Sequence, residues 1–216
     1  MTVDELQTKL RQQGVEVRKI EPGPIKGLYT VAVPEGIVYV DESGTRLIQG
    51  QVFDLDTHAN LTQAELQASL PSIDWAALPL QDAIKTVKGD GSRKMVVFSD
   101  PDCPYCHDLE NLVLPKVDNV TIYTLLLPVA QLHHDAPRKA GLIWCAPDRA
   151  KAWDQWMHEG KLPDDDGSCG TPVAAIAALA EKFSVRATPT MVFADGSRMS
   201  GAGPVQAIEA HLQSAR

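Results

Sequence analysis

The sequence predicts a chain of two units: a small α+β unit over residues 1–60 and an α/β unit over residues 79–216, joined by a helical linker over 61–78. Three observations predict it. The N-terminal part has one amphipathic helix followed by short alternating runs with hairpin punctuation. Residues 61–78 combine helical spacing with flanking prolines. The C-terminal part has long β-branched and aromatic runs with helical segments between them. With 216 residues the chain suffices for one large or two small domains.

Taken in order, Val3 to Gln13 reads as a helix: Val3, Leu6 and Leu10 share a face, and Gly14 ends it. Four alternating runs follow, Val15 to Arg18, Leu28 to Val33, Ile37 to Val40 and Thr45 to Ile48, with Gln51 to Leu55 as a fifth. Pro34-Glu35-Gly36 and Glu42-Ser43-Gly44-Thr45 separate some of them. A unit of about 60 residues buries little surface and is marginal alone, so oligomerisation is an expected remedy. His58 reads as a solvated loop histidine.

Leu61 to Leu70 has helical apolar spacing, and Pro71 and Pro79 flank the next stretch. Ala83 to Val87, the turn Gly89-Asp90-Gly91 and Met95 to Ser99 are expected to open the second unit as a hairpin. Val120 to Leu127 is the next strand, stopped by Pro128. From His133 to Phe183 the pattern is helical with loops, including a helix over Val173 to Ala180 with Pro172 at its start. Thr190 to Ala194 and Arg198 to Ser200 are short strands, and Pro204 to Gln213 is the last helix.

Composition narrows the function. A net charge of −8 argues against a nucleic-acid partner. An apolar fraction of 44% is ordinary for a folded domain, so disorder is not expected. No run of about 18 apolar residues is present, so no membrane span is expected. Met1 to Leu6 is polar and amphipathic, unlike a signal peptide. The chain is therefore expected to be cytosolic, or to have lost its signal.

Chemistry concentrates at Cys103-Pro104-Tyr105-Cys106, between the apolar strand Lys94 to Ser99 and the helical run Asp108 to Leu114. Two thiols three residues apart close, open and reclose a small disulfide. At a strand-to-helix junction this is a redox arrangement. The helix start leaves backbone N–H groups unpaired and favours an anion, so the Cys103 thiolate is expected to be stabilised. Cys106 is placed to attack a mixed disulfide on Cys103. A zinc site is the alternative, but one such motif supplies two ligands where a structural site takes four; no metal is expected. His107 is a candidate to stabilise the thiolate, with an exposed helix-surface role equally open. The loop pair His133 and His134 is read as solvated and assigned no chemistry.

Cys145 lies in an amphipathic helix and Cys169 in the acidic loop Asp164 to Gly170. A disulfide between them would stabilise by roughly 3.5 kcal/mol in the chain-entropy model. Two unrelated free thiols are the alternative. A free thiol in an exposed loop beside a redox site would be a liability, which favours the disulfide and an oxidising compartment. Downstream, Thr188-Pro189 stands at the entrance of the strand Thr190 to Ala194. A proline there removes a ladder donor, and a cis X–Pro bond is one reason for it.

Phe98-Ser99-Asp100-Pro101-Asp102-Cys103-Pro104-Tyr105-Cys106-His107, followed by Ala187-Thr188-Pro189-Thr190, resembles the thioredoxin-fold oxidoreductases. That resemblance implies a cis Thr188-Pro189 loop facing the active-site sulfurs and binding substrate backbone. The whole chain resembles the DsbC and DsbG branch, the periplasmic disulfide isomerases, in Gly50-Gln51, Phe98-Ser99-Asp100 and Ile143-Trp144-Cys145-Ala146. It implies a cystatin-like N-terminal module that pairs two copies into a homodimer, and a structural disulfide between Cys145 and Cys169. It implies a periplasmic isomerase of misoxidised secreted proteins, kept reduced by a membrane reductase of DsbD type, with no cofactor. The isomerases most similar to this chain have Gly-Tyr where it has Pro104-Tyr105, and these residues tune redox behaviour. In thioredoxins a buried carboxylate stands six positions before the nucleophile; here that position is Val97, so any proton relay to Cys106 differs. A thiol oxidase, a glutathione-linked reductase and a holdase chaperone are the competing functions.

Overall fold

Thr2 opens helix α1 (Val3–Gln12) with a capping box: its hydroxyl accepts from Glu5 N–H, and Glu5 in turn accepts from Thr2 N–H. This is seen in a computed structural model that describes residues 1–56, 60–164 and 167–215. Gly14 follows the helix at φ +82°, where a side chain would be strained. Strands β1 (Lys19–Pro22), β2 (Leu28–Val33), β3 (Gly36–Asp41) and β4 (Leu47–Ile48) form an antiparallel sheet in chain order. The alternation of β2 and β3 gives the sheet two apolar faces. Val31, Val38 and Val40 cluster with Leu6 and Leu10 of α1. Ala32, Ile37 and Tyr39 cluster with Leu66 of helix α2 (Leu61–Ser69). A buried hydrogen bond of 2.6 Å joins the Tyr39 and Thr62 hydroxyls.

Two expected strands do not form. Val15 N–H is used to close the helix end, bonding Leu10 C=O, and Val17 enters the core, so pairing starts later at Lys19. Over Gln51 to Leu55 no strand forms: among the described residues the segment makes the isolated bridge Phe53 to Asn60, and Phe53 and Leu55 are exposed. His58 lies outside the described residues.

The chain divides into compact units at Pro71 and Ser72. Residues 61–78, expected as a linker, are therefore shared out. Helix α2 packs on the first sheet, whereas Ile73 and Leu78 are buried in the core of the second unit.

The second unit is built on a five-stranded sheet. Its strands are β5 (Ile84–Lys88), β6 (Arg93–Ser99), β7 (Val120–Leu126), β8 (Thr190–Phe193) and β9 (Arg198–Ser200), in the spatial order β5-β7-β6-β8-β9. Strands β6 and β7 are parallel and the other pairs antiparallel. The expected β5–β6 hairpin is absent: β5 pairs with β7. Strand β6 is buried on both faces from Met95 to Ser99 and takes the centre, whereas β5 alternates buried and exposed and suits an edge. The turn chemistry at Gly89 and Gly91 serves a crossing to the other side of β7.

Helices α3 (Pro104–Asp108), α4 (Ala136–Cys145), α5 (Arg149–Glu159), α6 (Val173–Lys182) and α7 (Val205–Ser214) cover the sheet. Met95, Val97, Met191 and Phe193 meet Ile208 and Leu212 of α7 on one face. Val96, Phe98 and Val192 meet Ile176 and Ala180 of α6 on the other. A third cluster joins Cys103 and Cys106 to Ile143, Trp144, Trp153 and Met157 of α4 and α5. Among the described residues no helix is long and apolar enough to cross a membrane.

Candidate active site

Strand β6 delivers the chain to Asp100, whose carbonyl accepts from Cys103 N–H and whose carboxylate accepts from Asp102 N–H at 2.8 Å. This turn places Cys103 as the N-cap of α3, with Pro104 at the first helical position, where its missing N–H costs nothing. The N–H groups of Cys106 and His107 close on Cys103 C=O. Beyond Asp108 the helix continues as one π-helical turn, Leu109–Val113, and a short 3-10 turn. Both thiols are buried, Cys103 at 5% exposure and Cys106 at 0%.

The Thr188–Pro189 peptide is cis and lies against the dithiol: Cys103 Sγ is 3.3 Å from Thr188 C=O, to which only its protonated form donates. The loop is held from behind, by Gly201 N–H on Pro189 C=O and by Thr190 Oγ1 on Ala187 C=O. The two sulfurs are electrostatically unequal. Cys103 is held down to about 5, first by the hydrogen bond from the Cys106 thiol, against the cost of burial, and further by the Thr188 side chain and by the N–H groups of Cys106 and Tyr105. Cys106 is pushed up by its hydrogen bond to the Cys103 sulfur and by burial. Asp100 N–H donates to Cys106 Sγ at 3.4 Å. At neutral pH the arrangement is a thiolate beside a held proton, which is what attack on a disulfide needs.

His107 is not on an exposed helix surface. Its ring is half-buried, with Nδ1 3.1 Å from Met157 C=O and Nε2 2.9 Å from Pro101 C=O. Trp156 Nε1 also donates to Pro101 C=O, at 2.6 Å. The helical insertion thus grips the loop that carries the cysteines. Lys139 of α4 adds an ion pair to Asp102 at 2.6 Å and lies over the Trp156 ring. Glu110, in the π-helical turn, accepts from Trp153 Nε1 at 2.8 Å, and burial raises its carboxyl.

The histidine pair requires a correction. His134 is exposed, but His133 is not a solvated side chain: its Nδ1 is 2.8 Å from Asp100 Oδ2, and the Asp100 side chain is fully buried. That bond raises His133 above the ordinary imidazole value, with the negative charges of Asp100 and Cys103 adding to it. Residue-level reading missed Asp100 as well. Its position at the end of a buried strand, three residues before the first cysteine, is the signal that could have found it. Position 97 is an apolar core valine, and a fully buried carboxylate stands instead at Asp100, whose backbone N–H donates to Cys106 Sγ.

Cys145, the last residue of α4, is disulfide-bonded to Cys169 (S–S 2.01 Å) in the loop ahead of α6. Trp144 Nε1 donates to Gly170 C=O beside it.

A thioredoxin-like domain family matches residues 80–216, and the disulfide bond isomerase protein N-terminal domain family matches residues 2–63. The probable thiol:disulfide interchange protein DsbC of Bordetella pertussis is 41% identical over 202 residues, 94% of this chain and 70% of that protein. The thiol:disulfide interchange protein DsbC of Escherichia coli is 28% identical over 210 residues, 96% of this chain and 86% of that one. Among solved structures, a disulfide interchange protein from Neisseria gonorrhoeae superposes with a TM-score of 0.60 at 46% identity, covering 64% of this chain and 98% of that one. Through both of its domains and along nearly its whole length, this chain belongs to the DsbC family of thiol:disulfide isomerases.

Proposed function

We propose that Cys103 is the attacking nucleophile and that Thr188 and Pro189 hold the client backbone beside it. The Cys103 thiolate attacks one sulfur of a wrong client disulfide. The client S–S bond breaks, a mixed disulfide forms, and the released client sulfur leaves as a thiolate that takes a proton from solvent. A second client thiol then displaces Cys103, which completes isomerisation with no net change in electrons. Alternatively Cys106 displaces the client, which reduces it and leaves Cys103 and Cys106 oxidised. The opposite displacement of the two thiol pKa values carries this reading. A resolving thiol that keeps its proton is slow, and delay gives the client thiol its chance.

Isomerisation needs the reduced pair, so a reductase must restore it; a membrane reductase of DsbD type acting in the periplasm fits that need. Misoxidised secreted proteins are the clients. The protein works as a homodimer through residues 1–60, with 79–216 as the catalytic unit. Support comes from the apolar residues left exposed on the first unit, Leu47 and Ile48 on its edge strand and Phe53 and Leu55 beyond it. Sedimentation of the intact chain as a monomer at micromolar concentration would defeat the dimer. For the mechanism, Cys106→Ser should accumulate mixed disulfides with a scrambled client, seen as a mass increase equal to that client. Accumulation in Cys103→Ser instead would reverse the two roles.

A further inference from the structure

We infer that His133 is a positioning residue of the dithiol, acting through Asp100 to favour the reduced, thiolate form of Cys103. The Asp100 carboxylate has no solvent exposure and takes three donors: Asp102 N–H at 2.8 Å, Val129 N–H at 2.7 Å and His133 Nδ1 at 2.8 Å. The first two are backbone groups of the segments that frame the site. The third is a side chain, and of the three only it can carry charge. The same residue, Asp100, donates its own N–H to Cys106 Sγ. Whatever orients this carboxylate therefore also orients the turn that presents both sulfurs.

A count of charges gives His133 its task. The anions that face it are Asp100, Asp102 and the Cys103 thiolate. Asp102 is already matched by Lys139 at 2.6 Å. Asp135 is matched by Arg138 at 2.7 Å, with Lys139 3.7 Å away. Asp100 and the thiolate are left, and His133 is the cation beside them. A buried carboxylate without a matching cation is costly. With a neutral ring at position 133, the Asp100 charge would bear on the thiolate unopposed.

The dependence on redox state follows. The thiolate exists only in the reduced protein; the disulfide carries no charge at that point. The His133 cation therefore stabilises the reduced form over the oxidised one, and the imidazole binds its proton more tightly in the reduced form. The stabilisation needs both charges, so it is present between the Cys103 value of about 5 and the raised imidazole value; it is lost as pH rises through the latter and as pH falls through the former.

The inference rests on Cys103 as the titrating nucleophile, and Cys103→Ser, which should abolish the acidic thiolate absorbance step, checks that assignment by itself. The test proper follows the ultraviolet thiolate absorbance of the reduced full-length chain against pH. His133→Gln should raise the Cys103 midpoint by roughly half a unit, about a threefold change. It should shift the glutathione equilibrium toward the disulfide by the same factor, and His133→Lys, which keeps a cation, should restore most of both. Should His133→Gln fail to fold, nuclear magnetic resonance titration of His133 in the unmodified chain serves, with a higher midpoint expected in the reduced form than in the oxidised. Equal midpoints in the two forms, or a folded His133→Gln with the parent's thiolate titration and only lower stability, would overturn the inference.

Discussion

Two cysteine pairs meet the same cluster of apolar side chains, yet one is a reactive dithiol and the other a staple. Cys103 and Cys106 belong to the cluster itself, and Cys145 packs against it. Burial runs opposite to reactivity and so does not explain it: the reactive pair is buried, whereas Cys145 is half-buried and Cys169 exposed. What differs is the end of the helix each occupies. Cys103 caps the N-terminus of α3, where the neighbouring Cys106 thiol and the first backbone N–H groups favour a thiolate. Cys145 closes the C-terminus of α4, where carbonyls gather and a thiolate would be repelled. Cysteine reactivity in this chain is decided by the polar groups within hydrogen-bonding reach of each sulfur, more than by accessibility.

The sharpest way to break the comparison is to exchange activity for stability. Cys103→Ser should abolish isomerisation of a scrambled client while leaving the unfolding midpoint within a few degrees of the parent. The double change Cys145→Ala and Cys169→Ala should do the converse. It should cost roughly 3 kcal/mol in urea unfolding and leave the acidic titration of Cys103 in place. A double variant that lost that titration would show the two pairs to be one coupled unit.

A smaller effect separates the pairs by pH. With Cys103 held down to about 5, its alkylation rate in the reduced protein should rise through pH 5 and be flat at neutrality. The sign for stability follows from the depressed value. Between about 5 and the ordinary thiol range the folded protein has released a proton that the unfolded chain retains, so reduced protein gains stability as pH rises. The gain is complete above the unfolded value and lost as pH falls through the folded one. Cys103→Ser should flatten that rise. An unchanged slope in urea midpoints would mean that the thiolate contributes nothing to folding.

The smallest effect concerns the grip of the insertion on the active-site loop. Trp153→Phe removes the donor to Glu110 and leaves a buried carboxyl unpaired. It should cost on the order of 1–3 kcal/mol while client turnover stays within about twofold of the parent. A selective loss of turnover at unchanged stability would move Glu110 into the chemistry.

Much of this was legible in the residues. The strand before the motif and the capped helix at the N-terminus follow from local periodicity and turn chemistry and stand within a residue or two of expectation, whereas the helical run expected over Asp108 to Leu114 is a π-helical turn continuing the shorter helix Pro104–Asp108. Pairing was less legible. Glycine turns after Lys88 read as a hairpin, but strand order depends on which strand has two faces to bury, and only the assembled sheet shows that β6 does. Val15 and Val17 carry a strand-like pattern that a helix end and a core pocket claimed instead.

By itself the sequence determined that two thiols stand at a helix start, that a Thr-Pro precedes a late strand, and that two more cysteines lie one in a helix and one in a loop. Each is a matter of spacing along the chain, which local backbone geometry converts directly into position. Only the tertiary structure decided what those groups face. Thr188 reaches Cys103 across 85 positions, Asp100 meets His133 across 33, and His107 is held by Met157 across 50. No periodicity encodes such meetings. They arise because the central strand, the cis loop and the helical insertion converge on one end of the sheet. There burial removes water as a partner and makes every remaining donor and charge count.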